Sequence, residues 1–179
     1  MMIKNTNQEY GIIHKCLHWL VAIAVIVLFS SGIWMTELGY YDAWYQRAPH
    51  YHKSIGLLLC AVMVGRVLWR YYNPPPHKLV SHSVMEQTIG HYVHRILYVG
   101  LFCLFLTGYL ISTADDRGIE IFNWLTIPSL GAFFENQEDI SGEVHEWLAF
   151  CLIALVCIHA FAALKHHFID RDNTLKRML

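Results

Sequence analysis

The chain has 179 residues, of which 55% are apolar or aromatic (AVILMFWYC) and 15% are charged, with a formal net charge of −1 and twelve histidines. This composition is typical of an integral membrane protein, and we interpret residues 1–179 as a single membrane domain. The near-neutral charge provides no basic surface for nucleic acid. The five cysteines lie in or beside apolar runs without a CxxC motif, which argues against a disulfide framework and a zinc ribbon.

Four apolar segments follow one another along the chain, at residues 17–35, 55–70, 95–111 and 146–165. With their flanks, each approaches the roughly 20 residues that a helix needs to cross a bilayer. The first segment is longer than the apolar region of a signal peptide and lacks a small-residue cleavage motif, so we expect it to be retained. The sequence therefore predicts an all-α bundle of four transmembrane helices.

The distribution of Lys and Arg predicts the orientation of the bundle. Ten of the thirteen lie in the N-terminal segment, in the connection between segments two and three, in the C-terminal tail, or at the adjoining ends of the segments; the other three are Arg47, Lys53 and Arg117. By the positive-inside rule, both termini of this multi-pass protein lie in the cytoplasm. The long loop at 112–142 then faces outward, and its several aromatic residues suggest a lid that packs onto the bundle.

The last segment carries His145 and His159, fourteen residues apart. Fourteen residues make almost four helical turns, so both rings leave one face of the helix, about 21 Å apart along its axis. Polar side chains are costly in lipid and usually face a partner inside the bundle. We interpret the partners as two metal centres, one at each depth.

The predicted topology assigns each of these histidines a second one at the same depth. His18 begins the first segment at the inner edge, level with His159, and His52 begins the second segment at the outer edge, level with His145. Two sites with two histidines each result, one near each membrane face.

The fourteen-residue step recurs on the other three segments. It leads from His18 to Gly32, from His52 to Arg66 and from His94 to Gly108. A flat macrocycle between helices would use such residues, because glycine lets its edge approach the backbone and arginine neutralises an acidic substituent.

The ligand count favours haem over zinc. Two histidines per site, with no Cys or carboxylate at the same depth, satisfy the axial positions of a porphyrin iron but fall short of the four ligands that zinc usually takes. Two axial imidazoles leave no open coordination position, which favours outer-sphere electron transfer.

Five ordered motifs carry a family resemblance that extends from about Tyr10 to Met178. They are KCLHWL, HKSIGLLLCAVMVGRVLWR, GHYVHRILYVG, EVHEWLAFCLIALVCIHAFAALKHH and IDRDNTLKRM. Together they resemble the bacterial cytochrome b561 family, four-helix cytochromes of the inner membrane that enclose two b-type haems. The resemblance implies that the inner haem has the axial ligands His18 and His159 and the outer haem His52 and His145, the same pairs that depth predicts.

The resemblance also implies a bacterial inner (cytoplasmic) membrane location and a quinone partner, with ubiquinone as the acceptor. For one branch of the family it implies oxidation of superoxide at the periplasmic face. We therefore expect either a superoxide:ubiquinone oxidoreductase or a pure electron-transfer protein. The segment YYDAWYQRAPHYHKSIG and the long outer loop give this chain its own periplasmic surface, so the donor stays open.

Four further polar residues lie near the predicted sites. Arg66 is a candidate partner for a haem propionate. His94 begins the third segment at the depth of the inner haem, where it is a second propionate candidate and the rival for an axial position. His166, seven residues after His159, is a candidate propionate or quinone contact, and His14 is expected at the membrane interface.

Three classes of function remain open. The first is an autonomous protein that passes electrons between a periplasmic donor and the quinone pool. The second is a cytochrome b membrane anchor for a soluble dehydrogenase, which would present a docking surface. The third is a divalent-metal carrier lined by histidines, without haem.

Overall fold

The computed structural model describes residues 2–79 and 81–179. Its main elements are four helices that are long and apolar enough to cross a membrane, namely α1 (Ile12–Thr36), α2 (Arg47–Tyr72), α3 (Val84–Ser112) and α4 (Gln137–Phe168). The predicted all-α bundle of four transmembrane helices is confirmed. Large apolar side chains stay exposed on the outside of the bundle, for example Ile23 and Phe161, as expected for a surface that faces lipid.

The helices extend beyond the apolar segments at both ends, because local capping and proline decide where a helix stops. Ser83 and Glu86 form a capping box in front of α3: the Ser83 hydroxyl accepts from Glu86 N at 3.2 Å, and Glu86 Oε2 accepts from Ser83 N at 2.9 Å. α2 ends immediately before the run Pro74-Pro75-Pro76. Hydropathy alone does not predict where these helices begin and end.

The long loop between α3 and α4 contains a short antiparallel hairpin, which the sequence analysis did not predict. Its strands are β1 (Ile119–Ile121) and β2 (Leu125–Ile127). Both isoleucines of β1 are buried, and the Ser54 hydroxyl on α2 donates to Glu120 O and accepts from Phe122 N. The loop therefore does pack onto the bundle, but through β1, since Trp124 is 82% exposed.

The helices pack as two antiparallel pairs, α1 with α2 and α3 with α4, and the contacts between the pairs are sparse. A central apolar layer joins the pairs. It consists of Val21, Val25, Leu59, Met63, Leu101 and Leu152. Four of these follow the histidines of the fourteen-residue pattern by seven positions, one on each helix, so the layer lies midway between the two predicted sites.

Both termini fold against the same end of the bundle, here called the termini side; the opposite end, with the hairpin, is the loop side. The Trp19 indole donates to Met178 O at 2.8 Å, and the Arg177 guanidinium donates to the carbonyl oxygens of Gln8 and His77. The tail ends in a 3-10 turn at Lys176–Met178. The C-terminal tail thus crosses the termini side and contacts the N-terminal segment.

Candidate haem-binding sites

The structure brings together both predicted histidine pairs in the seam between the helix pairs. On the loop side, the ring centroids of His52 (α2) and His145 (α4) are 6.5 Å apart at an interplanar angle of 71°. On the termini side, those of His18 (α1) and His159 (α4) are 6.3 Å apart at 66°. Each pair therefore joins one helix of the first pair to α4.

These separations match two axial ligands of one iron. An imidazole nitrogen coordinates a metal ion at about 2 Å, so two imidazoles on opposite sides of one ion have ring centroids roughly 6 Å apart. His94 lies nearer to His159, with ring centroids 5.1 Å apart. The separation of the His18 and His159 rings therefore fits two ligands of one ion better than that of His94 and His159, and His18 is the partner that depth predicts.

Two hydroxyl side chains orient the loop-side pair. The Ser31 hydroxyl donates to Leu28 O and lies 3.0 Å from His52 Nδ1, and the Thr107 hydroxyl donates within its own helix and lies 2.9 Å from His145 Nδ1. Since each hydroxyl hydrogen is already used, we infer that the imidazole Nδ1–H donates to the hydroxyl oxygen. The lone pair of each ring is then on Nε2, as a metal ligand requires.

Ser31 and Thr107 were not predicted as site residues, although the sequence contains a signal for them. Each directly precedes a glycine of the fourteen-residue pattern, in the dipeptides Ser31-Gly32 and Thr107-Gly108. A hydroxyl–glycine pair at the same level of α1 and α3 is one feature repeated in both helix pairs. In such a dipeptide the glycine leaves room for a neighbouring side chain, and the hydroxyl oxygen can accept a hydrogen bond from it.

The two glycines make room for the imidazoles. A Cβ added at Gly32 would lie 3.4 Å from His52 Cε1, and one at Gly108 would lie 3.4 Å from His145 Cε1. Their immediate neighbours are therefore the loop-side histidine rings, which refines the expectation that they accommodate the edge of a macrocycle. Each glycine allows a ring to lie close to the backbone of the neighbouring helix.

Arg66 brings a half-buried positive charge to the termini-side pair. Its Nη2 lies 3.2 Å from His18 Nδ1 and its guanidinium carbon 5.6 Å from the centre of the Tyr98 ring. Its Nε has no hydrogen-bond partner among the described residues, and none of the described ion pairs includes it. A half-buried cation inside the bundle is stabilised by a counter-charge, and the carboxylate of a haem propionate would supply one to the buried Nε.

His14 occupies a place that differs from the prediction, and His166 has contacts that the sequence did not predict. His166 Nδ1 lies 2.7 Å from Asp170 Oδ2, and the ring is close to His82, so its described contacts are to the tail and the α2–α3 loop. His14, expected at the interface, is only 5% exposed and stacks on Tyr10 with ring centroids 4.4 Å apart. Burial by the N-terminal segment explains the difference for His14.

Neither histidine pair belongs to a cluster that could bind a bare metal ion. In the part of the chain that the structure describes, groups of three or more ligand atoms within 4.8 Å of one another exclude His18, His52, His145 and His159. A bare ion would find two protein ligands at each site, whereas a porphyrin iron needs only two. The donor set therefore fits haem.

Comparison with known proteins gives a consistent result. The family model described as prokaryotic cytochrome b561 matches residues 9–179. Cytochrome b561 homolog 2 of Escherichia coli (strain K12) is 49% identical over 179 residues, which cover 100% of this chain and 95% of that protein. A Yersinia pestis protein named probable superoxide oxidase CybB is 28% identical over 178 residues, 97% of either chain. The chain therefore belongs to the prokaryotic cytochrome b561 family of membrane electron-transfer proteins, whose cofactor is b-type haem.

Proposed function

We propose that this integral bacterial membrane protein is a cytochrome with two b-type haems that carries electrons across the inner membrane. The donor would be periplasmic, on the loop side, and the acceptor would be the quinone pool, with both termini in the cytoplasm. The observation that carries the proposal is the pair of imidazole pairs at the two ends of one bundle, at 6.5 and 6.3 Å. Bound haem supplies one-electron chemistry between ferric and ferrous iron.

In this proposal, His52 and His145 hold the loop-side haem, and His18 and His159 hold the termini-side haem. Because α4 carries a ligand of both sites, fourteen residues apart, it sets their spacing at about 21 Å along one rigid helix. The central apolar layer between the sites excludes water from the interior. Two imidazoles at each site also leave no position for oxygen to bind iron.

The termini side differs from the loop side in the hydrogen bond to one of its proposed ligands. Arg66 donates to His18 Nδ1, so a neutral His18 carries its proton on Nε2. Coordination through Nε2 requires that proton to leave Nε2, and a ring protonated at Nδ1 would no longer accept from Arg66. We infer that Arg66 then turns to a propionate, which supplies the missing counter-charge.

The proposal also names an electron donor and an electron acceptor. The Yersinia pestis relative named a probable superoxide oxidase supports superoxide as the donor to test first, and ubiquinone is the proposed acceptor. The concentration of Lys and Arg on the termini side favours quinone reduction there. Stopped-flow reduction of the purified protein by superoxide, ascorbate and ubiquinol in turn would rank them; if superoxide reduces the protein no faster than ascorbate does, the superoxide assignment is wrong.

The ligand assignment has its own experiment. His145→Ala is expected to remove the loop-side haem and spare the other, which lowers the haem content from two per chain to one in a pyridine haemochrome assay. His94→Ala is the matched control, since it removes an imidazole that lies beside His159 without being assigned as a ligand. Retention of both haems in His145→Ala, or loss of one in His94→Ala, would refute the pairing.

A further inference from the structure

A third histidine cluster lies on the termini side, outside the two proposed haem sites. Its ligand atoms belong to His82, His166 and Asp172 and lie within 4.8 Å of one another. Asp172 Oδ2 is 2.8 Å from His82 Nε2 and 3.7 Å from His166 Nδ1, and the two imidazole centroids are 4.4 Å apart. The three residues come from the α2–α3 loop, the last turn of α4 and the C-terminal tail. The cluster thus joins three separate segments.

The ligand atoms of the cluster, imidazole nitrogen and carboxylate oxygen, are those that zinc and similar divalent transition-metal ions take. Such ions take imidazole nitrogen and carboxylate oxygen at about 2 Å, which puts neighbouring ligand atoms of a tetrahedral site roughly 3.3 Å apart. The two nitrogen-to-oxygen distances of 2.8 and 3.7 Å lie on either side of that value. Asp170 Oδ2 also lies 2.7 Å from His166 Nδ1, but it is paired with Lys165 Nζ at 2.7 Å, so the geometry assigns His82, His166 and Asp172 as the ligands.

The side chains of the cluster are shielded and oriented. The exposed fractions are 18% for His82, 14% for His166 and 8% for Asp172, far below those of an ordinary surface ion pair such as Arg117 with Asp115, at 84% and 48%. Thr174 N donates to Asp172 Oδ1 at 2.7 Å, which turns the other carboxylate oxygen towards the histidines. Such supporting hydrogen bonds are typical of metal ligands.

The carboxylate of Asp172 and that of the neighbouring Asp170 are both favoured in their charged form. Partial burial alone would raise the pKa of Asp172, but hydrogen bonds from Thr174 and His82 outweigh it and hold the pKa below its ordinary value. The hydrogen bond from Lys165, with a smaller contribution from His166, likewise lowers the pKa of Asp170. A metal ion would take the place of the hydrogens between the imidazole nitrogens and the carboxylate, each ring would keep its proton on its other nitrogen, and no change of oxidation state is involved.

We propose that His82, His166 and Asp172 bind one divalent transition-metal ion of the zinc class, which ties the C-terminal tail to the termini side of the bundle. The site does not depend on the proposed electron transfer. His166 is seven residues from His159, about 10 Å along α4, so the ion would be close to the termini-side haem without sharing a ligand with it.

Zinc binding to the purified, haem-containing protein in detergent tests the proposal. After washing with a chelator, the protein is loaded with zinc chloride and desalted, bound zinc is measured by elemental analysis, and affinity is measured by competition with a chromophoric chelator. We expect one tightly bound zinc per chain. His82→Ala and Asp172→Asn should each weaken binding at least about tenfold, because each removes a ligand.

The matched control is His77→Ala, since His77 is exposed and lies in the same loop as His82. It should keep the tight zinc. Equal zinc affinity in wild type, His82→Ala and Asp172→Asn would overturn the proposal, and so would uptake that His77→Ala alone abolishes. X-ray absorption at the zinc edge gives an independent measurement: two imidazoles and a carboxylate are expected, and a sulfur ligand would contradict the assignment.

A measurement on the wild-type protein alone covers the case in which a variant does not fold. Hydrogen–deuterium exchange of residues 169–179 should slow when zinc is added, because the ion holds Asp172 against two histidines of the bundle. Exchange of the central residues of α1 should not change. A tail that exchanges at the same rate with and without zinc would refute the proposed connection.

Discussion

Thr107→Val tests whether a hydroxyl sets the electronic character of the proposed loop-side haem. The substitution keeps the shape of the side chain and removes the acceptor that lies 2.9 Å from His145 Nδ1. Thr107 is 8% exposed, so water does not readily replace its oxygen. A net hydrogen bond of this kind contributes about 1 kcal/mol, and leaving its buried partner unsatisfied costs about 1–3 kcal/mol.

The expected consequence has a sign and a size. An imidazole that donates from Nδ1 is a more basic ligand and favours ferric iron, so its loss should raise the loop-side midpoint potential. A difference of about 1 kcal/mol between the two oxidation states corresponds to about 40 mV for one electron. Haem affinity at that site should fall roughly 10–100-fold, as for other partners of metal-bound histidines.

Spectroelectrochemical titration and haem quantification check this prediction. Thr88→Val is the matched control: its hydroxyl donates to Val84 O on the same helix, and it is exposed and close to neither pair. Both potentials should stay unchanged in the control. A Thr107→Val protein with both potentials and its haem content unchanged would refute the inferred hydrogen bond, and a fall in potential would refute its direction.

Three further predictions concern other parts of the chain. Arg66→Met should lower the termini-side midpoint potential by about 40 mV, which corresponds to about 1 kcal/mol of lost electrostatic stabilisation of ferrous haem. The control Arg70→Met, one helical turn further, should change that potential less. Redox titration measures both shifts, and equal shifts would contradict the role assigned to Arg66. Gly108→Ala should displace His145 and reduce loop-side haem retention, whereas Gly65→Ala, with nothing within 4 Å of the added Cβ, should leave the haem content unchanged. The lowered pKa values of Asp170 and Asp172 mean that their ion pairs stabilise the folded tail fully above the ordinary aspartate pKa. That contribution declines as pH falls below about 4 and is lost once pH falls through the folded pKa values, so the protection of tail amides from hydrogen exchange, corrected for the intrinsic rate, should be full at neutral pH and decrease below about pH 4. Protection that is constant down to pH 2 would contradict this.

The sequence predicted the class of fold and the composition of the two candidate sites. Apolar runs of sufficient length determine that a chain crosses the membrane, and a fourteen-residue step determines which side chains share a helix face. Depth then paired His18 with His159 and His52 with His145, and the structure brings these rings together. The haem ligation itself stays a prediction.

Other features were decided only by contacts between distant segments. His94 was the rival of His18 for a place beside His159, and the ring distances of 5.1 and 6.3 Å come from the packing of three helices. Ser31 lies 21 positions from His52, and Thr107 lies 38 positions from His145, so the pairing of each hydroxyl with a ring depends on how the helices pack. The β1–β2 hairpin likewise depends on its contact with α2, which its three-residue strands do not reveal.

The histidines on α4 show most directly which features the sequence determined and which the tertiary structure decided. The sequence by itself determined that His145, His159 and His166 lie on one side of a membrane-spanning helix, because their spacings of fourteen and seven residues follow the helical period. Depth also predicted the partners of His145 on α2 and of His159 on α1, and the structure brings those rings together. For His166 only the tertiary structure decided the partners, which lie in the α2–α3 loop and the tail. The reason is physical, since periodicity is a property of one helix, whereas a ligand set is formed by residues as far apart as His82 and Asp172, 90 positions along the chain.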